Sequence, residues 1–98
     1  MDETAIHSEQ LAALRAQIDQ VDRDILSLLN RRAELVLAIR SLKAGQNMPL
    51  YAPWREEQIF ERLKALNPGP LYDQAIEEIF RTILKKSLEL VEKDGNAL

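Results

Sequence analysis

The chain has no cysteine and one histidine. Disulfides and thiolate metal sites are therefore excluded, and His7, alone in the polar stretch 1–8, cannot build a histidine metal cluster. Neither sign of charge dominates: 13 Lys and Arg face 16 Asp and Glu, a formal net charge of −3. That balance lacks the basic footprint of a nucleic-acid partner or a polybasic membrane contact. No run approaches the roughly 18 apolar residues of a membrane span. The opening MDETAIHSEQ has neither the basic start nor the apolar centre of a signal peptide. A cytoplasmic protein is expected, with no metal and no cofactor.

Glycine and proline are also scarce, at three and four residues among 98, so long uninterrupted helices are allowed. Apolar residues make up 46% of the chain, enough for one domain with a core. They recur at Leu11, Leu14, Ile18, Val21, Ile25, Leu28, Leu35, Ile39 and Leu42, alternating steps of three and four. That is the seam of a helix with heptad character. With Ser8 as N-cap and no breaker before Gly45, it predicts a helix over about 9–44, roughly 50 Å long at 1.5 Å per residue. A compact domain of this size has a radius of gyration of about 13 Å, so a second copy is expected to cover the seam.

Gly45-Gln46-Asn47-Met48-Pro49 reads as a helix stop and connector. Pro53 suits the first position of a second helix over about 53–66, with Glu56 and Glu57 in the acid-favouring first turn. Asn67-Pro68-Gly69-Pro70 is a turn. A third helix over about 71–93 carries Tyr72, Ile76, Ile79, Phe80, Ile83, Leu84, Leu88 and Val91 along one stripe, ending near Asp94-Gly95. The fold class is all-α, with a leader at 1–8, a helical domain at 9–93 and a tail at 94–98. Trp54 and Tyr51 read as packing residues near the connector.

Some polar residues break this pattern without structural gain. Continuing the seam by sevens from Leu11 gives Ile18, Ile25, Arg32 and Ile39, so a guanidinium holds a core position and needs a carboxylate or a ligand. Lys43, eleven residues on, lies only about 20° around the helix from Arg32. Arg31 and Arg40 fall on other faces and are expected in solvent. Arg15 is about 100° from Arg32, placed to reach a second copy's site. On the third helix, Ser87 is the only hydroxyl in the stripe Ile76, Phe80, Ile83, Ser87, Val91. Arg55 and Glu56 sit at the head of the second helix, beside free backbone N–H groups. Arg32, Lys43 and Arg55, with Arg15 of a second copy, outline a basic pocket. Several cations, one acid and no nucleophile–histidine pair suit a polyanion whose charge shifts during reaction, without covalent catalysis.

Leu14-Arg15-x2-Ile18-x3-Asp22-x2-Ile25-x2-Leu28-Leu29-x2-Arg32-x2-Leu35-x7-Lys43 resembles the opening helix of AroQ-type chorismate mutases. Tyr51-x-Pro53-x-Arg55-Glu56 is similar to their second-helix signature. Asn67-x-Gly69-Pro70-Leu71, Ile79-Phe80-Arg81-x-Ile83 and Ser87-Leu88 are similar to the third-helix region, particularly in mutase domains fused to prephenate dehydratase or DAHP synthase. The resemblance covers about residues 9–92. It implies an intertwined homodimeric helical bundle that rearranges the dianion chorismate to prephenate. By position, it implies that Arg32 and the second copy's Arg15 clamp the substrate carboxylates and that Lys43 meets the ether oxygen. Arg55 then supports the electrostatics, Glu56 accepts from the ring hydroxyl, and Ser87 approaches the ring carboxylate.

Two positions depart from the family. Val91 stands where it usually places glutamine or glutamate, which joins the lysine at the ether oxygen, and Glu92 points about 100° away. Ala52 stands where some members have aspartate, and its backbone can serve there. Two other readings stand beside the mutase: an isochorismate-pyruvate lyase, against which Glu56 argues, and a non-catalytic chorismate- or prephenate-binding module marked by Val91.

Overall fold

The computed structural model describes residues 3–42 and 52–96, with no side chain described at 94–96. Three α-helices follow one another: α1 (Glu3–Leu42), α2 (Pro53–Leu66) and α3 (Asp73–Asn96). No strand occurs among the described residues. The chain divides into two units, Met1–Glu34 and Leu35–Leu98.

The first unit is the helical stretch of α1 that carries the seam. The helix starts at Glu3, ahead of the expected Ser8 cap, because Glu, Thr, Ala and Ile all tolerate helix and nothing in 3–8 terminates one. An N-cap serine is a start signal only where the residues before it refuse the helix. Leu11, Leu14, Ile18, Val21, Ile25 and Leu28 are each between 48% and 61% exposed. An apolar row of that extent is unusual on a soluble surface and marks an interaction face.

In the second unit each helix supplies one buried apolar residue: Val36 from α1, Phe60 from α2 and Leu84 from α3. Ile59 and Leu63 on α2, and Ile76, Phe80, Ile83 and Val91 on α3, are half-buried. These lie on the faces that the helical period selects. The α2 bounds coincide with those read from the sequence, since Pro53 fixes its first turn and Asn67 ends it. α3 starts two residues later and ends three later than expected; a single glycine, worth about 1 kcal/mol against alanine, does not by itself stop a helix.

The connection between α2 and α3 is organised by Asn67. Its Nδ2 donates to the Leu71 carbonyl at 2.8 Å and to Asp73 Oδ1 at 2.9 Å, while its Oδ1 accepts from the Gly69 amide at 3.1 Å. This side chain substitutes for backbone turn bonds, and Gly69 supplies a φ of +79°. Two aromatic residues depart from expectation. Tyr72 precedes α3 and is 83% exposed, and Trp54 is 68% exposed. Neither packs in the core: Tyr72 lies in the turn, and Trp54, six residues before Phe60, falls about 120° around α2 from it by the helical period. Tyr51, the other aromatic assigned to packing, lies outside the described residues.

Across the second unit, polar ties join α2 to α3. Glu77, 25% exposed, lies 3.4 Å from Lys64 Nζ and 3.5 Å from Arg81. The Arg81 guanidinium sits 4.9 Å from the centre of the Phe60 ring. Both cross-helix pairs give one antiparallel register, in which a step back along α2 matches a step forward along α3.

Candidate active site

The head of α2 is shaped by Ala52 and Pro53. Ala52 has N-cap geometry (φ −79°, ψ 152°) without a side-chain cap. Its carbonyl accepts from the Arg55 amide at 2.9 Å and the Glu56 amide at 3.3 Å, which turns the chain tightly into the helix. Arg55 and Glu56 occupy this first turn, both half-buried. Arg55 Nη1 donates to Gln58 Oε1, one turn on, at 2.6 Å.

Ser87 lies six residues beyond Arg81, and the first turn of α2 begins seven residues before Phe60. The common register therefore sets Ser87 level with that first turn, about 9 Å along the axis from the Arg81–Phe60 contact at 1.5 Å per residue. Ser87 is 6% exposed, and its Oγ donates to the Ile83 carbonyl at 2.8 Å. To donate to a ligand carboxylate the hydroxyl must rotate away from Ile83.

Val91, one turn after Ser87 on the same stripe, is half-buried, and Glu92 beside it is exposed. The structure thus leaves an apolar side chain at this level of α3 and does not bring Glu92 to replace a donor. Glu89 is tied elsewhere: its hydrogen bond with Lys86 at 3.0 Å, and then the charges of Lys86, Lys85 and Lys93, hold its carboxyl below the usual range.

Ala52, Arg55, Glu56, Ser87 and Val91 thus belong to one unit, on two helices in a fixed register. Arg15 and Arg32 belong to the other unit; Arg15 is exposed and Arg32 is half-buried, consistent with a guanidinium on an otherwise apolar seam. Arg31 is exposed as expected, whereas Arg40 is half-buried. Lys43 lies outside the described residues. Two features were not read from the sequence: Gln58 on Arg55, and the tie of Glu77 to Lys64 and Arg81. The i,i+3 spacing of Arg55 and Gln58 was available as a signal; the cross-helix tie was not, because no local pattern sets the register of α2 on α3.

Among the described residues no group of three His, Cys, Asp or Glu side chains could hold a metal ion. Nor is any described helix long and apolar enough to cross a membrane. What these residues offer is positive charge, one acid and a hydroxyl, a set suited to binding a small anion; the Arg55 and Glu56 amides, expected to be free, are taken by the Ala52 carbonyl.

Comparison with known proteins places this set in context. The chorismate mutase type II family model matches residues 14–92. A bifunctional chorismate mutase/prephenate dehydratase of Aquifex aeolicus is 39% identical over 89 residues, covering 87% of this chain and 25% of that protein. A chorismate mutase of Methanocaldococcus jannaschii is 30% identical over 83 residues, 84% of each chain. Among solved structures, chorismate mutase (form II) from Thermus thermophilus is similar with a TM-score of 0.80 and 43% identity, over 85% of this chain and 94% of that one. Helicobacter pylori chorismate mutase in complex with prephenate gives 0.83 and 30%, over 92% and 98%. The chain spans about a quarter of the length of the bifunctional relatives it matches.

Proposed function

The chain belongs to the chorismate mutase type II family, and from that premise we propose that it rearranges chorismate to prephenate as a homodimer. The observation that supports this reading is the α2–α3 register, which sets Arg55 and Glu56 level with buried Ser87; a cation, an acid and a hydroxyl at one level suit a single anionic ligand.

The reaction is intramolecular: an ether C–O bond breaks as a C–C bond forms, with negative charge growing on the ether oxygen. Catalysis then consists of holding the reactive conformer and meeting that charge with fixed donors. Arg32 and Arg15 of a second copy bind the two carboxylates, bidentate geometry suiting guanidinium to each. Lys43 serves the ether oxygen. Glu56 accepts from the ring hydroxyl, Arg55 adds positive potential, Ser87 rotates to the ring carboxylate, and the Ala52 backbone closes the edge. No cofactor enters and no side chain becomes covalently bound.

The dimer has its own support. The half-exposed seam of α1 is the kind of surface that a second seam covers, and an intertwined bundle of two copies would bring Arg15 of one to Arg32 of the other. Fusion to a further enzyme of the same pathway, as in the bifunctional relatives, belongs to the same reading.

Val91 favours a second reading, in which the pocket binds chorismate or prephenate without turnover. Loss of one transition-state donor costs about 10²–10³ in rate, a weakening that leaves binding intact. The test follows chorismate loss by ultraviolet absorbance, with the product identified by chromatography, for the parent, Arg32→Ala and Val91→Gln. Prephenate from the parent, abolished by Arg32→Ala, is expected. Activity confined to Val91→Gln would replace the enzyme reading with the binding one.

A further inference from the structure

The guanidinium of Arg55 is held by a neutral group. Its Nη1 meets Gln58 Oε1 at 2.6 Å, and among the described residues it forms no ion pair, although Glu56 and Glu57 follow it directly in sequence. Other cations of the same unit behave differently: Lys64 and Arg81 take the carboxylate of Glu77, and Lys86 takes that of Glu89. The pair type alone marks nothing, since Arg23 makes a like bond to Gln20 on α1. Its place on the cation at the head of α2, level with buried Ser87, does.

We infer that Gln58 is a positioning residue for Arg55, fixing the guanidinium while leaving its positive charge undiminished for an anionic ligand. The inference rests on the proposed chorismate site and names what tunes its affinity. A guanidinium has five N–H donors in a rigid fork. One spent on Gln58 locks the plane of the fork, and the rest stay available for a carboxylate. An acid at 58 would hold the same geometry but cancel the charge, because a carboxylate–guanidinium pair is the stronger, charge-compensated bond. An aliphatic residue would leave the charge but release the fork. Gln58 is itself exposed, so its replacement disturbs no core packing, and glutamate and alanine both have good helix propensity.

The test compares the full chain with Gln58→Glu and Gln58→Ala by steady-state chorismate kinetics at several ionic strengths, alongside thermal unfolding. Binding energy lost equally from substrate and transition state appears in KM and leaves kcat in place. Gln58→Glu is expected to raise KM about fivefold, with kcat within about twofold of the parent, and to make kcat/KM fall less steeply with added salt. Gln58→Ala is expected to raise KM about threefold with the parent's salt dependence. Melting temperatures stay together in all three. A KM unmoved by Gln58→Glu, or a loss that tracks a lowered melting temperature, overturns the inference. If the parent leaves chorismate unchanged, the proposed reaction fails on its own. Chorismate binding, read from the fluorescence of Trp54, the only tryptophan, then decides the inference: a Kd weakened severalfold by Gln58→Glu sustains it, and an equal Kd ends it.

Discussion

Ile25→Ala shortens one side chain in the middle of the α1 seam, and its size as a perturbation can be worked from exposure. Ile25 is 49% exposed in the single chain. Fully burying an isoleucine is worth about 1.5–3 kcal/mol, so covering the remaining half contributes about 1 kcal/mol. In a twofold dimer the same residue is lost from both copies, and the cost to association becomes about 2 kcal/mol, roughly 30-fold in Kd. Sedimentation across a concentration series measures this directly, with Glu34→Ala, an exposed polar change off the seam, as control. By the same measure, the half already covered is worth about 1 kcal/mol to each folded chain, a loss that a melting curve reads apart from association. Parent protein that sediments as an 11.2 kDa species throughout would refute the reasoning, as would an Ile25→Ala Kd equal to that of the control.

Three smaller changes test the second unit. Ala52→Asp places a carboxylate at an N-cap whose backbone already has the right conformation and should stabilise by about 1 kcal/mol, a rise of about 4–8 °C in melting temperature. Gly69→Ala introduces a Cβ with nothing within 4 Å but at φ +79°, so it should cost about 1 kcal/mol through the backbone alone, read by chemical denaturation. Arg81→Ala removes both the Phe60 and Glu77 contacts. At an exposed guanidinium these sum to about 1 kcal/mol, and Arg81→Lys should recover part of it, because the charge returns without the plane.

The parts of the fold that were legible in the sequence are those with local causes. Pro53 and Asn67 bracket α2 because one fixes φ at a helix start and the other ends the helix and ties the turn with its own amide. The stripe on α3 followed from the helical period, and the seam of α1 from its heptads. Trp54 departs from packing because aromatic character says how much area a side chain can bury, not where its helix position points it, and Tyr72 departs because α3 begins after it, at Asp73. At the site, Arg32 was legible as a core position that should have been apolar, and Val91 as the residue one turn beyond Ser87. The level of Ser87 with Arg55 was not, since it depends on Glu77, Lys64, Arg81 and Phe60 meeting across two helices. Nor was the half-burial of Arg40, which the helix wheel placed in solvent.

The most direct test of a site built by two copies mixes two damaged chains. Arg15→Ala and Arg32→Ala should each be nearly inactive toward chorismate alone. Unfolded together in equal amounts and refolded, half of the dimers are mixed, and each mixed dimer regains one intact site from Arg32 of one chain and Arg15 of the other. About a quarter of the parent's prephenate production should return by this count. A mixture no more active than either variant alone would contradict the shared site, and with it the assignment of Arg15 across the dimer.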